Sequence, residues 1–186
     1  MAEQKLFMVM VGCRPAGRNT EQHDVFFGIG ETIQELVPQL KKFWTGAGRM
    51  HVDAWREITI VDAYKIEVVK RQETPVAKDG YSLFFLNLGG YKKGEFDEFH
   101  YKLLVVAKAK NEALRIAKKS AFYKHTGFKE APAHIDDKFG VDIDDLHQVK
   151  DILAPDLKAL YSLKISPVNS LETDKLYLGY FPFDKL

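Results

Sequence analysis

Two short patterns in this sequence combine a histidine with a carboxylate two residues away. Glu21 and His23 form the first pattern, and His51 and Asp53 form the second. In an extended strand, residues i and i+2 point to the same side, so each pattern presents an imidazole and a carboxylate together. If the two pairs converge, their side chains suit zinc, manganese or iron. They also suit an acid–base pair in which a carboxylate orients an imidazole.

Both patterns occur a second time in the chain. Glu98 and His100 lie 77 positions after the first pair, and His134 and Asp136 lie 83 positions after the second. An enzyme needs one site, whereas residues kept in both halves of a duplicated chain are more often residues that the fold needs. The alternative for all eight residues is therefore structural, with His and Asp at strand ends bonding to loop backbone.

A glycine-rich, basic loop precedes each Glu/His pair. The first loop, Gly12–Arg18, carries Arg14 and Arg18, and its counterpart carries Lys92 and Lys93. Backbone amides and cationic side chains in such a loop can hold a phosphate or a carboxylate. The loops lack the Lys-Ser/Thr ending of a P-loop and do not lead directly into a helix, so an ordinary basic turn is the alternative. A small anionic ligand is the partner that these four cations predict.

The strands and helices that would position these residues are predicted in the same order in both halves of the chain. Apolar runs predict strands at Leu6–Val11 and Asp24–Ile29. Helical spacing of apolar residues follows from Ile33 to Trp44, and residues 49–70 predict one long or two short further strands. The corresponding elements of the second copy are strands at Leu83–Leu88 and Tyr101–Ala107, a helix from Asn111 to about Lys124, and strand residues between 134 and 152.

Identical residues fall in one register along the two copies, which predicts an internal duplication. The identical pairs are Gly12/Gly89, Gly17/Gly94, Glu21/Glu98, His23/His100, Glu35/Glu112, His51/His134 and Asp53/Asp136. We expect one α+β domain over residues 1–186, with repeat units at 5–70 and 82–152, a linker at 71–81 and a C-terminal β-hairpin at 153–186. Two tandem β-β-α-β repeats would form a mixed or antiparallel sheet with both helices packed on it.

Bulk composition excludes several classes of protein. The formal net charge of the 186 residues is +1, which weakens the case for nucleic acid or an anionic membrane as a partner. A single cysteine, Cys13, rules out a disulfide within the chain and favours the cytoplasm. No apolar run approaches the roughly 18 residues of a membrane-spanning helix, so no membrane span is predicted.

Lysines and aromatic residues of the second copy provide an RNA-binding alternative. RNA-binding surfaces combine cations with rings on which bases stack, although a solvated lysine-rich helix face above core aromatics would have the same composition. The cations are Lys108, Lys110, Arg115, Lys118, Lys119 and Lys124, and the rings are Tyr91, Phe96, Phe99, Tyr101 and Tyr123.

The repeated motifs resemble a known family. The paired G-x-x-x-x-G…E-x-H loops, the His-Ile/Val-Asp tripeptides and the segment Ala121-Phe122-Tyr123-Lys124-His125-Thr126-Gly127-Phe128 resemble the domain of unknown function 1543 family. The resemblance implies a two-copy member, a bacterial origin and an intracellular protein. It brings no activity, cofactor or catalytic residue with it.

The sequence favours a non-catalytic protein that binds a small ligand or a partner, because every candidate site is either duplicated or isolated. The alternative is a metal-dependent enzyme that uses Glu21, His23, His51 and Asp53, or their copies, with a divalent metal as cofactor. An RNA-associated protein is a further alternative. A paired strand edge would also allow a homodimer.

Overall fold

The structure, a computed structural model, describes residues 3–71, 80–120, 134–135, 146–170 and 172–186, with only the backbone described at 134–135. The chain divides into two compact units, Met1–Val76 with Leu153–Leu186, and Ala77–Ile152. Most of the predicted linker, residues 72–79, lies outside the described residues, and the single domain stays a prediction. No described helix is long and apolar enough to cross a membrane.

The fold is α+β, and every strand pair is antiparallel. In chain order, the strands are β1 (Lys5–Cys13), β2 (Gln22–Gly30), β3 (Met50–Glu57), β4 (Ile60–Val61), β5 (Tyr64–Lys70), β6 (Ser82–Tyr91), β7 (Glu98–Ala107), β8 (His134–Ile135), β9 (Leu146–Gln148), β10 (Tyr161–Pro167) and β11 (Tyr177–Pro182). The α-helices are α1 (Val37–Phe43), preceded by a 3-10 helix at Ile33–Leu36, α2 (Lys110–Ala117), α3 (Val149–Ile152) and α4 (Pro155–Leu160).

The first unit contains a four-stranded sheet in the order β11-β3-β1-β2. One face of its central strand β1 is apolar, and Phe7, Val9 and Val11 are buried there against Leu36 and Leu40. The alternation of side chains along a strand leaves the residues between them, including Gly12, on the opposite face. The candidate site lies on this opposite face.

The first unit also contains a three-stranded sheet in the order β10-β5-β4. Its turn, Asp62-Ala63, has positive φ at both residues (51° and 61°), as the tight type I′ hairpin requires. The C-terminal segment forms the two strands that the sequence predicts. They pair with β5 and β3 rather than with each other, because β10 joins the three-stranded sheet and β11 the four-stranded sheet.

The second unit contains strands β7, β6 and β8 in one sheet, with β9 also paired to β6. Its core combines the apolar face of β6 with α2, and consists of Phe84, Leu86, Leu88, Val105, Ala107, Ala113, Leu114, Ala117 and Leu146.

Strand register is the same in the two units. Gly12 lies opposite His23 and His51, and Gly89 lies opposite His100 and His134. Along the whole of β1–β2 and β6–β7, partners differ by the same 77 positions, from Lys5↔Gly30 and Ser82↔Ala107 onwards.

Three features of the predicted architecture are wrong. The strands within the described residues form three sheets instead of one. Helix α2 ends at Ala117, because the amides of Lys119 and Ser120 bond to carbonyls three residues back and tighten the last turn. Val149–Ile152, expected as a strand equivalent to the end of β5, is helix α3.

Replacing Ala63 with glycine should stabilise the first unit. An alanine at φ 61° bears a left-handed strain of about 1–2 kcal/mol that glycine avoids, less the extra backbone entropy of glycine. We expect Ala63→Gly to raise the free energy of unfolding in urea by about 0.5–1 kcal/mol. The control, Lys42→Gly at an exposed position of α1 in the same unit, should lower that free energy by about 0.5–1 kcal/mol. A destabilised Ala63→Gly protein would contradict the turn geometry.

Glu67 should make stability depend on pH in the acid range. Lys65 Nζ lies 2.8 Å from its Oε1 and Lys164 Nζ 3.3 Å from its Oε2. The hydrogen bond from Lys65 is the main cause that lowers the pKa of Glu67. The stabilisation is therefore present at neutral pH and lost as the pH falls through this lowered pKa. In urea unfolding, the free energies of unfolding of wild type and Glu67→Gln should become equal as the pH is lowered. In NMR titrations, Lys65→Ala should raise the pKa of Glu67.

Candidate metal centre

The candidate site is built around Gly12, which has no side chain in the middle of the four-stranded sheet. His23 on β2 and His51 on β3 lie opposite Gly12 on its two sides. A Cβ atom at Gly12 would lie 2.5 Å from His51 Nε2 and 2.5 Å from Asp53 Oδ2. The glycine therefore leaves the space in which side chains from both neighbouring strands meet.

Asp53 reaches this space because β3 has a bulge there. Met10 pairs with Ala54 and Val11 with Val52, so Asp53 is one extra residue relative to β1. A bulge of this kind re-aims side chains and is over-represented next to functional sites. Here the bulge brings the Asp53 carboxylate over Gly12, beside His51.

The four predicted side chains of the first unit converge. His51 Nε2 lies 3.2 Å from Glu21 Oε1 and 3.1 Å from Asp53 Oδ1. His23 Nε2 lies 3.6 Å from Glu21 Oε2 and 3.3 Å from Asp53 Oδ2. Each imidazole nitrogen thus lies between the same two carboxylates. Ligand atoms of Glu21, His23 and His51 all lie within 4.8 Å of one another.

Burial differs sharply among the four side chains. The side chain of His51 is 4% exposed, whereas those of Glu21 and His23 are 44% and 43% exposed. Neither His51 Nε2 nor Asp53 Oδ2 has a hydrogen-bond partner among the described residues, although both atoms are fully buried. The short contacts of His51 are therefore close in distance but not aligned as hydrogen bonds. A buried polar atom left in this way is costly, and it calls for a specific explanation.

Tyr180 is a component of the site that sequence reasoning missed. Its ring lies 4.2 Å from the His51 ring, centroid to centroid, at an interplanar angle of 33°. Leu178 pairs with Ala54 and Phe181 with Val52, so Gly179 and Tyr180 together oppose Asp53. The aromatic character of the C-terminal strand was visible in the sequence, but its register against β3 was not.

Cys13 follows Gly12 and is buried. Burial, with a smaller contribution from the Glu21 carboxylate, raises the pKa of its thiol. The reactive thiolate is therefore disfavoured at neutral pH.

The predicted site residues of the second unit are only partly described. His100 and His134 lie opposite Gly89 in the backbone register, and Asp136 lies outside the described residues. Glu98 accepts a hydrogen bond of 2.8 Å from the Tyr91 hydroxyl, a contact that the first unit cannot make because Arg14 stands at the position of Tyr91. A metal at Glu98, His100, His134 and Asp136 stays a prediction.

The basic loops use some of their cations internally. The Arg14 guanidinium donates to the carbonyls of Arg18 and Asn19, at 3.4 and 3.1 Å. Lys92 Nζ lies 4.2 Å from the centre of the Phe99 ring. Arg18 and Lys93 are exposed. Arg14, which the anionic-ligand prediction requires, thus already has two carbonyl partners in its own loop.

The aromatic residues near these loops are not all in the core. Phe96 is fully exposed and Tyr101 is 46% exposed. Tyr91 and Phe99 of the predicted RNA-binding set are half-buried, and Tyr123 and Lys124 lie outside the described residues. The RNA alternative stays a prediction.

Comparison with known proteins identifies the family. Residues 18–68, which include all four converging side chains, match the model described as Domain of Unknown Function (DUF1543). The chain carries a DUF1543 domain. The match confirms the resemblance read from the sequence, and a second copy of the domain stays a prediction. No curated protein matches the chain.

A solved structure shares the fold. The crystal structure of a protein Il1583 from Idiomarina loihiensis resembles this DUF1543 protein with a TM-score of 0.58 and 22% sequence identity, over 97% of this chain and 98% of that chain. At this identity the likeness shows the fold alone.

Adding a single methyl group at Gly12 should disrupt the site. Gly12→Ala places a Cβ where His51 and Asp53 now lie, and overpacking of this kind costs about 1–3 kcal/mol. We expect a loss of that size in urea unfolding, with displaced imidazole resonances of His23 and His51 in NMR spectra. Gly17→Ala is the control, because its φ of +76° imposes strain while nothing lies within 4 Å. Unchanged imidazole resonances in Gly12→Ala would contradict the described packing.

Proposed function

We propose that this DUF1543 protein binds one divalent transition-metal ion through Glu21, His23 and His51. The observation that carries the proposal is His51 Nε2, a buried nitrogen without a hydrogen-bond partner that faces ligand atoms from two other residues. Histidine Nε2 and carboxylate oxygen are donors that zinc, iron and manganese accept in proteins. The first ligand that we propose for this protein is thus a cation, and a small anion held by Arg14, Arg18, Lys92 and Lys93 stays a prediction.

The separations of the donor atoms fit one ion. Zinc binds His nitrogen at about 2.0–2.1 Å, and the donor atoms of a tetrahedral site of that size are about 3.3 Å apart. The four imidazole–carboxylate separations lie between 3.1 and 3.6 Å, with each carboxylate presenting a different oxygen to each histidine, and the ligand atoms of Glu21, His23 and His51 lie within 4.8 Å of one another. An ion near the centre of the group would satisfy the Nε2 atom of His51, which the side chains alone leave without an aligned partner.

Asp53 has a role in either coordination or support. It lies within 3.1–3.3 Å of both histidines, close enough to serve as a fourth donor or to orient the imidazoles as an outer carboxylate. Three protein ligands with an open position are typical of catalytic zinc, and four are typical of structural zinc. The metal-dependent enzyme therefore remains the alternative at the same four residues.

The internal duplication is part of the proposal. It is supported by the shared strand register and by two repeated contacts. Glu35 accepts a hydrogen bond from the amide of Glu31, and Glu112 accepts one from the amide of Lys108, each at 2.8 Å.

The second repeated contact lies in the two glycine-rich loops. The amides of Arg18 and Glu95 each donate a hydrogen bond to the carbonyl three residues back. Gly17 and Gly94 have positive φ in these turns.

Metal analysis tests the proposed function. Elemental mass spectrometry on untagged protein, purified without chelators, should find about one equivalent of a transition metal, and titration of the stripped protein with zinc should find the same stoichiometry. Exposed His23 can be replaced without opening the core. We expect His23→Ala to weaken zinc binding more than the 10–100-fold that loss of an outer carboxylate costs, and Asp53→Asn to fall within that range.

His100→Ala is the matched control, because His100 occupies the same register position in the second unit. It should leave the first equivalent of zinc unchanged, and loss of a second equivalent in this variant would place another ion in the second unit. Zinc should raise the urea midpoint of wild type and not that of His23→Ala, because a ligand stabilises only the state that binds it. A well-folded wild type that binds no transition metal would leave the four residues as a structural network.

Acid should weaken the binding, because a metal ion binds neutral imidazole and competes with protons for it.

The bacterial origin and the cytoplasmic location belong to the same proposal. The family resemblance supports both, and the presence of a single cysteine in the sequence supports the second. A homodimer formed through a paired strand edge is also part of the proposal.

A further inference from the structure

One face of Tyr180 covers His51 while most of its ring faces solvent. The rings are 4.2 Å apart, and Tyr180 is nevertheless 61% exposed. Since His51 is itself buried, the tyrosine is the part of this stack that solvent and ligands can reach. An aromatic ring of this kind beside metal ligands provides a surface on which a second group can pack.

Tyr180 continues into an exposed apolar stripe formed by Leu178 of β11 and Leu176, which immediately precedes this strand. The two leucines are 71% and 56% exposed. Leu178 lies opposite Ala54, which in turn lies opposite Met10, two residues along β1 from Gly12. Opposed residues of paired strands point to the same face, so Leu178 lies on the face of the sheet that carries the metal ligands. The stripe therefore begins at the proposed metal site.

The site is open on the side of Glu21 and His23. Their side chains are 44% and 43% exposed, which leaves room for an external ligand at an ion held between them and His51. Because the Glu21 and Asp53 carboxylates together balance the charge of a divalent ion, such a ligand binds through the donor atoms that it offers to the ion. The remaining coordination positions of such an ion are filled by water or by a ligand that replaces it.

We propose that the metal centre binds a chelating anion whose apolar group packs on Tyr180 and Leu178. This inference rests on the proposed metal site and names the class of its ligand: a small metal-binding acid, such as a hydroxamate or carboxylate, with an aromatic or aliphatic side group. The anion occupies open positions on the ion, and the apolar group lies along the stripe. This arrangement accounts for exposed leucines beside a polar site.

Hydroxamates that share a head group and differ in the apolar group test the proposal. Zinc-loaded protein is titrated with acetohydroxamate and with benzohydroxamate in a calorimeter. Both should bind, and benzohydroxamate should bind roughly two- to tenfold more tightly, the range of an aromatic pair. In Tyr180→Ala and in Leu178→Ser, loaded with zinc to the same occupancy, this ratio should fall towards one.

Leu160→Ser is the matched control, because Leu160 is a leucine of α4 that is 60% exposed. It should keep the wild-type ratio. A wild type that binds zinc but neither hydroxamate would overturn the inference and leave the metal site intact, whereas failure to bind zinc would overturn the metal site itself. Equal affinities for the two hydroxamates, or a ratio that persists in both β11 variants, would also overturn the inference.

Discussion

The candidate site depends on the absence of a side chain at Gly12. This residue occupies the central strand, with a histidine-bearing strand on each side, and any Cβ there would collide with His51 and Asp53. The constraint also fixes the strand register. A slip of one residue would turn the histidines to the opposite face, where Phe7, Val9 and Val11 pack against the helix. The apolar face and the polar face therefore enforce the same alignment of β1 with its neighbours.

The interface between helix and sheet is filled in opposite ways in the two units. In the first unit, Gly28 and Gly30 on β2 admit Leu36, whose methyl groups would lie 2.6 and 2.9 Å from added Cβ atoms. At the corresponding positions of the second unit, 77 residues later, β7 has Val105 and Ala107, and α2 has Ala113 where the first unit has Leu36. In the first unit the larger side chain, Leu36, is on the helix, and in the second unit the larger side chain, Val105, is on the strand. Volume-conserving exchange is the change that cores tolerate best, so this difference agrees with two copies of one unit.

Local patterns carried most of the correct predictions. The apolar runs located β1, β2, β6 and β7, and the spacing of two residues placed His23 beside Glu21 and His51 beside Asp53. The two His/carboxylate pairs converge because β2 and β3 both pair with β1. The sequence did not predict this pairing, because contacts between distant segments produce no local sequence pattern. The bulge at Asp53 and the register of β11, which brings Tyr180 over His51, are likewise properties of strand pairs. The alignment of Val149 and Ile152 with residues of β5 was wrong. In the first unit, Trp55–Glu57 of β3 lie opposite Val9–Phe7 of β1. In the second unit, Leu146–Gln148 of β9 lie opposite Leu86–Phe84 of β6, the positions 77 residues later. By strand pairing, Leu146 corresponds to Trp55, an offset of 91 positions where sequence identity indicated 83.

Two unfavourable contributions to the free energy of folding occur together at the candidate site. A glycine within a strand is unfavourable by about 0.5–1 kcal/mol relative to alanine, and a buried polar atom without a hydrogen bond costs about 1–3 kcal/mol. Gly12 incurs the first cost in order to admit His51, and His51 incurs the second because its Nε2 has no aligned partner among the described residues. If packing alone determined these positions, a small apolar residue at each would avoid both costs. Departures from local rules without a structural gain are typical of functional sites. An ion bound at Nε2 would remove the second cost and would explain the glycine at position 12, and these two costs are the physical basis of the proposed metal site.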